Sequence, residues 1–182
     1  MTVSERKKGA ISPIIHALYI VIFGAFLVAM AVLQCADIEI AGIKPDFTFA
    51  LICAIGFILG ERYGAIFGIT GGLLIWALGL GGVSLSPILY TLCGYMCGEL
   101  PRVILRRNFL SYLVYTAMMG GIHLLFSFLY FIMLSSSYEI WQAFGKMILP
   151  EFILCVIFMI ASYGAVKLIY TIFKGKKTDS RV

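Results

Sequence analysis

The chain has 182 residues, of which 62% are hydrophobic and only 13% charged, with a formal net charge of +5 and a mean hydropathy of +1.02. Soluble domains are about half apolar and about a quarter charged, so the composition excludes an ordinary water-soluble domain and points to an integral membrane protein. The basic residues are strung along loops and ends, as membrane topology requires, and no nucleic-acid partner is expected.

Apolar runs occur at 14–34, 45–60, 63–80, 85–100, 110–134 and 148–173. They predict an all-α, polytopic membrane protein of about six transmembrane helices in one domain. In a bilayer every backbone donor must be satisfied within the chain, which leaves helices as the only reasonable elements. The first run follows Met-Thr-Val-Ser-Glu-Arg-Lys-Lys without a small-residue cleavage site, so it reads as a retained span and not a removed signal peptide. The first, fifth and sixth runs are long enough to cross a hydrocarbon core of about 30 Å; those at 45–60 and 85–100 are shorter.

The second run opens with Lys44-Pro45-Asp46. Proline suits a first helical turn and the aspartate meets the positive end of the helix dipole, so this is read as a helix start. Only Glu61 and Arg62 separate the second and third runs, which forces an antiparallel hairpin with the charged pair at its tip. Gly64, Gly68 and Gly72 then follow at a four-residue spacing, Gly56 and Gly60 repeat it on the second run, and Gly94 and Gly98 on the fourth. Apolar side chains gain little by moving between two apolar phases, so membrane helices associate through close packing, and small residues four apart provide it. These glycines have two uses: packing within the chain, or docking a helix of another protein. His123 in the fifth run reads as a polar anchor between helices, with a pocket or proton-path role as the alternative. Pro150-Glu151 opens the sixth, where a carboxylate again suits the dipole.

With both termini cytoplasmic, six spans place twelve of the lysines and arginines inside and only Lys44 and Lys146 outside, a strong positive-inside bias. The five cysteines, Cys35, Cys53, Cys93, Cys97 and Cys155, read as small apolar residues and not as a disulfide framework. Cys93 and Cys97 share a helical face but lack the further ligands a tetrahedral metal needs. No catalytic, metal or cofactor-binding residue is expected: no nucleophile has a base, no phosphate loop occurs, and the charges a channel or pump carries within the membrane are missing.

The stretch from Ile43 to Leu100 resembles MreD, the small membrane component of the bacterial rod-shape system, or elongasome. The residues that carry the resemblance are Lys44-Pro45-Asp46, then Arg62-x-Gly64-Ala65-x-x-Gly68 with Gly71-Gly72-Leu73-Leu74, then Leu89-Tyr90 and Gly94-Tyr95-Met96-x-Gly98. Ile148-Leu149-Pro150-Glu151 looks like a further family feature near the C-terminus. The sequence departs from the pattern at Ile75-Trp76-Ala77, where family members often carry an aspartate. The resemblance implies a non-enzymatic, multi-pass scaffold of the bacterial inner membrane, supporting cell shape and lateral peptidoglycan synthesis. Its implied partners are MreC, the RodA and penicillin-binding protein pair, MreB, and membrane lipid.

The MreD fold is thought to be similar to that of the substrate-binding membrane subunits of energy-coupling-factor vitamin transporters, which makes such a subunit the principal alternative. It requires an outward pocket, to which Tyr90, Glu139, Trp141 and Gln142 could contribute. It also requires a docking face for its coupling partner, and Ala25 and Ala29 fit this loosely.

Overall fold

The structure, a computed structural model, describes residues 13–36, 46–79, 86–103, 108–134 and 149–179. Among them are six helices and no strand: α1 Pro13–Cys35, α2 Phe47–Leu59, α3 Glu61–Ala77, α4 Ser86–Val103, α5 Phe109–Leu134 and α6 Leu149–Asp179. Each coincides with one apolar run. Within α1, α5 and α6, the segments Ala17–Cys35, Phe109–Tyr130 and Pro150–Ile172 are long and apolar enough to cross a membrane. The other three are shorter; α2 has 13 residues and at 1.5 Å per residue extends only about 20 Å.

The surface is apolar on every side. Val21 on α1, Ile66 and Trp76 on α3, Leu92 on α4, Leu110 and Leu125 on α5, and Ile153 and Leu168 on α6 are all exposed. Contiguous apolar exposure on this scale is rare on soluble monomers and is the surface that lipid covers. The protein is a helical membrane protein by this criterion and by its three long apolar helices.

The centre of the bundle is α2. Every residue from Phe47 to Phe57 is buried, and the helix touches each of the other five. Its sequence, FTFALICAIGFIL, carries no polar face, as befits a helix surrounded on all sides. Cys53, Cys93, Cys97 and Cys155 are buried and free and Cys35 is exposed and free. Thr48 Oγ1 donates to Gln34 Oε1 at 2.9 Å, which brings the end of α1 to the start of α2. Tyr90 near the start of α4 and Phe158 in the first half of α6 reach the same end of α2. Thus α2, α4 and α6 run one way and α1, α3 and α5 the other.

A single residue turns the chain from α2 into α3. Gly60 has φ 108° and ψ 175°, a region essentially closed to other residues. Its N–H donates to the Gly56 carbonyl at 2.9 Å and its carbonyl accepts from the Gly64 N–H at 3.0 Å, so both helices are hydrogen-bonded up to the corner. A Cβ there would touch nothing within 4 Å, so any cost of substitution is conformational. Gly60→Ala is expected to lower the unfolding free energy by about 1–3 kcal/mol, measurable by denaturant titration in mixed micelles; an unchanged midpoint would mean that the corner has another conformation.

The glycines on α3 and α4 let the two backbones meet. A Cβ on Gly68 would lie 2.6 Å from Thr91 Cα, and one on Gly64 would lie 2.6 Å from the Gly94 carbonyl carbon and 2.9 Å from Gly56 Cα. A Cβ on Gly72 would run into Pro87 and one on Gly98 into the Glu61 backbone. The predicted small-residue faces of α2, α3 and α4 therefore pack on one another. The charged pair at the hairpin tip divides: Arg62 is exposed, but Glu61 is half-buried against Gly98 with one carboxylate oxygen enclosed. Close approach of the α4 backbone at Gly98 encloses Glu61, so the hairpin tip is only partly at the surface.

Candidate functional site

The helix start at Asp46 carries more than a cap. Its Oδ1 accepts from the Phe49 N–H at 2.9 Å, which satisfies one of the orphan donors of the first turn of α2. Its Oδ2 accepts from the hydroxyl of Tyr90 on α4, forty-four residues away. His123 on α5 brings its Nε2 to 3.9 Å from the same Oδ2, an electrostatic approach beyond hydrogen-bond length. One buried carboxylate thus organises α2, α4 and α5.

Aromatic rings set its walls. The imidazole of His123 stacks on Phe49, centroid to centroid 4.6 Å, and on Tyr90 at 5.3 Å with only 13° between the planes. Phe47 meets Phe158 of α6 edge to face at 4.5 Å. Gly120, one turn before His123, leaves room for Phe49 and for Met159 and Phe152 of α6, each of which a Cβ would touch. From α6, Glu151 and Cys155 stand close enough to Asp46 to feel its charge. The cap places Asp46 at the positive dipole end of α2.

Apart from Glu151, the other positions singled out from sequence fall away from this cluster. Gly56, Gly64 and Gly94 form the three-helix contact, Gly68, Gly72 and Gly98 the α3–α4 contact, and Gly60 the corner. Arg62 is on the surface. Glu151 lies in the first turn of α6, two residues past its start and directly after Pro150. Pro45 lies outside the described residues, as do Glu139, Trp141 and Gln142. Trp76, in the stretch where the resemblance is broken, is exposed at the last turn of α3. The residues that sequence reasoning did not join to Asp46 are Tyr90 and His123: they sit at unrelated spacings on other helices, and their proximity follows only from the packing of α4 and α5 on α2.

Chemically the cluster is closed. Asp46 and Tyr90 are buried and bonded to each other, and no group of three or more metal-ligating side chains occurs among the described residues. On the opposite side of the α3–α4 pair, Ala65, Ile69, Ile88, Thr91 and Leu92 help to line an open apolar groove of about 470 Å³. Ala25 and Ala29 are exposed on α1. No family model matches this sequence, and no curated protein or solved structure matches it either.

Proposed function

We propose that the protein is a non-enzymatic scaffold of the bacterial inner membrane that works as MreD does, holding MreC and through it the peptidoglycan-synthesising pair, with MreB on the cytoplasmic side. In this reading all six helices cross the bilayer, both termini are cytoplasmic, and the arrangement is that of an energy-coupling-factor substrate-binding subunit. The observation that supports it is the use of the glycines: they fuse α2, α3 and α4 into one slab, with backbones in contact. Side-chain-free packing of this kind makes a rigid body with little internal freedom, which suits a part that positions others. It leaves the opposite α3–α4 face as an apolar groove, and the membrane helix of MreC is the occupant that the resemblance supplies. The vitamin-binding alternative draws less support, because Tyr90, the described member of its pocket, is turned onto Asp46.

The test is co-purification from membranes that express the chain together with MreC from the same cell. Wild-type protein is expected to retain MreC, and Leu92→Trp, which fills the groove without touching a glycine contact, is expected to release it at unchanged membrane abundance. Failure of the wild type to retain MreC would remove the scaffold reading. Retention by both would keep the partner and discard the groove, and a vitamin held through purification would establish the transport subunit instead.

A further inference from the structure

Lys167 puts a charge inside the apolar segment Pro150–Ile172 of α6, and it lies on the surface. Its ammonium sits over the ring of Tyr163, 5.5 Å from the centroid, and no carboxylate pairs with it among the described residues. The ring face attracts the cation but leaves its charge whole, so in a membrane it still calls for an anion. Tyr163 also meets Phe109, the first residue of α5, at 5.4 Å between centroids, and Phe57 near the end of α2 at 6.2 Å. Lys167, one turn further along α6, therefore stands where α5 begins and α2 ends. That level is the rim of the bundle, within reach of lipid headgroups.

The helix leading to it is shaped for a hydrocarbon tail. Ile153, Ile157, Ile160, Gly164 and Lys167 recur at four- and three-residue intervals and so share one face of α6. The isoleucines are exposed, and a Cβ on Gly164 would meet nothing within 4 Å, which leaves a notch one turn before the lysine. From Ile157 to Lys167 the helix rises about 15 Å, half of a hydrocarbon core of about 30 Å and so the depth of one leaflet.

We propose that this face of α6 is a site for one acidic phospholipid, its phosphate paired with Lys167 and an acyl chain laid over Gly164 towards Ile157. A headgroup of net negative charge supplies the missing anion, whereas a zwitterionic one brings its own cation and gains less. The apolar track separates this ligand from an acidic protein surface, which would use the charge but not the notch. Lys174, Lys176 and Lys177 follow the apolar segment directly, and lysines clustered beside a span attract acidic membrane surfaces. The site needs α6 to cross the membrane and requires no protein partner.

The experiment places the full chain in nanodiscs of equal phosphatidylglycerol and phosphatidylcholine, releases it in mild detergent and weighs the retained lipid by native mass spectrometry. The wild type is expected to retain phosphatidylglycerol about fivefold over phosphatidylcholine, and Lys167→Gln to retain the two equally. Arg62→Gln removes another exposed cation at the same end of the bundle and is expected to keep the preference. Gly164→Leu fills the notch and is expected to release the lipid with the charge still in place. No preference in the wild type, a preference that survives in Lys167→Gln, one lost in Arg62→Gln, or full retention by Gly164→Leu would each overturn the site. Excess inorganic phosphate at constant ionic strength is expected to leave the lipid bound; its displacement would mean that the lysine reads a free anion instead.

Discussion

Gly64→Ala is expected to lower the unfolding free energy by about 3 kcal/mol, the upper end of the cost of overpacking, while Gly24→Ala is expected to change it by no more than about 0.5 kcal/mol. Both add one methyl group to a helix. At Gly24 that methyl meets nothing within 4 Å, whereas at Gly64 it lands 2.6 Å from the carbonyl carbon of Gly94 and 2.9 Å from Gly56 Cα. Those neighbours are backbone atoms of two other helices, so no rotamer change relieves the overlap and a whole helix must shift. The loss then extends beyond the site, because dispersion contacts along the α3–α4 seam decay steeply with separation. The reciprocal change, Gly94→Ala, opens the same seam, and the double variant is expected to cost less than the sum of the singles. Unfolding by sodium dodecyl sulfate in mixed micelles measures all four variants; a Gly64→Ala protein as stable as the wild type would mean that the seam is looser than described.

Asp46→Ala is expected to cost about 2–4 kcal/mol. Loss of the cap at Phe49 contributes about 1 kcal/mol, and the Tyr90 hydroxyl, left buried without its acceptor, adds about 1–3 kcal/mol. Tyr90→Phe removes the donor instead and costs less, since the carboxylate keeps its cap. Combining the two gives a double-mutant cycle with an expected coupling of about 1–2 kcal/mol. That places it above the average of about 0.6 kcal/mol for hydrogen bonds in membrane bundles, because both partners are buried. Asp46→Asn keeps both contacts, its amide oxygen capping α2 and its amide N–H donating to the Tyr90 oxygen, so any loss there measures the exchange of carboxyl for amide alone. Additive single losses, with no coupling, would show that Tyr90 and Asp46 do not share a bond.

The parts of this architecture that could be read from sequence are those with a local period. Six apolar runs correspond to six helices because hydrophobicity and length suffice to place a helix in lipid. The glycine spacing marked three helices that pack closely, since a four-residue repeat keeps small residues near one face. Local pattern could not say which glycine would meet which. Gly56 and Gly94 both converge on Gly64, a pairing settled by the turn at Gly60 and the return of α4. The same limit applies to Asp46. Its Pro-Asp context correctly identifies a helix start, and the cap to Phe49 is a local event. Its bonds across the bundle join residues from three helices with no common register, so the second role of this carboxylate became legible only with the helices in place.

The corner at Gly60 and the burial of α2 also bear on how the chain sits in its membrane. A segment of 13 residues buried from Phe47 to Phe57 has no lipid-facing stripe of its own, and alone it is too short to bridge about 30 Å of hydrocarbon. Because one residue joins it to α3 and the glycines of α4 lie against both, α2 is sheltered only when all three helices are packed together. The hold of α2 on the membrane thereby depends on the α3–α4 seam and not on its own length.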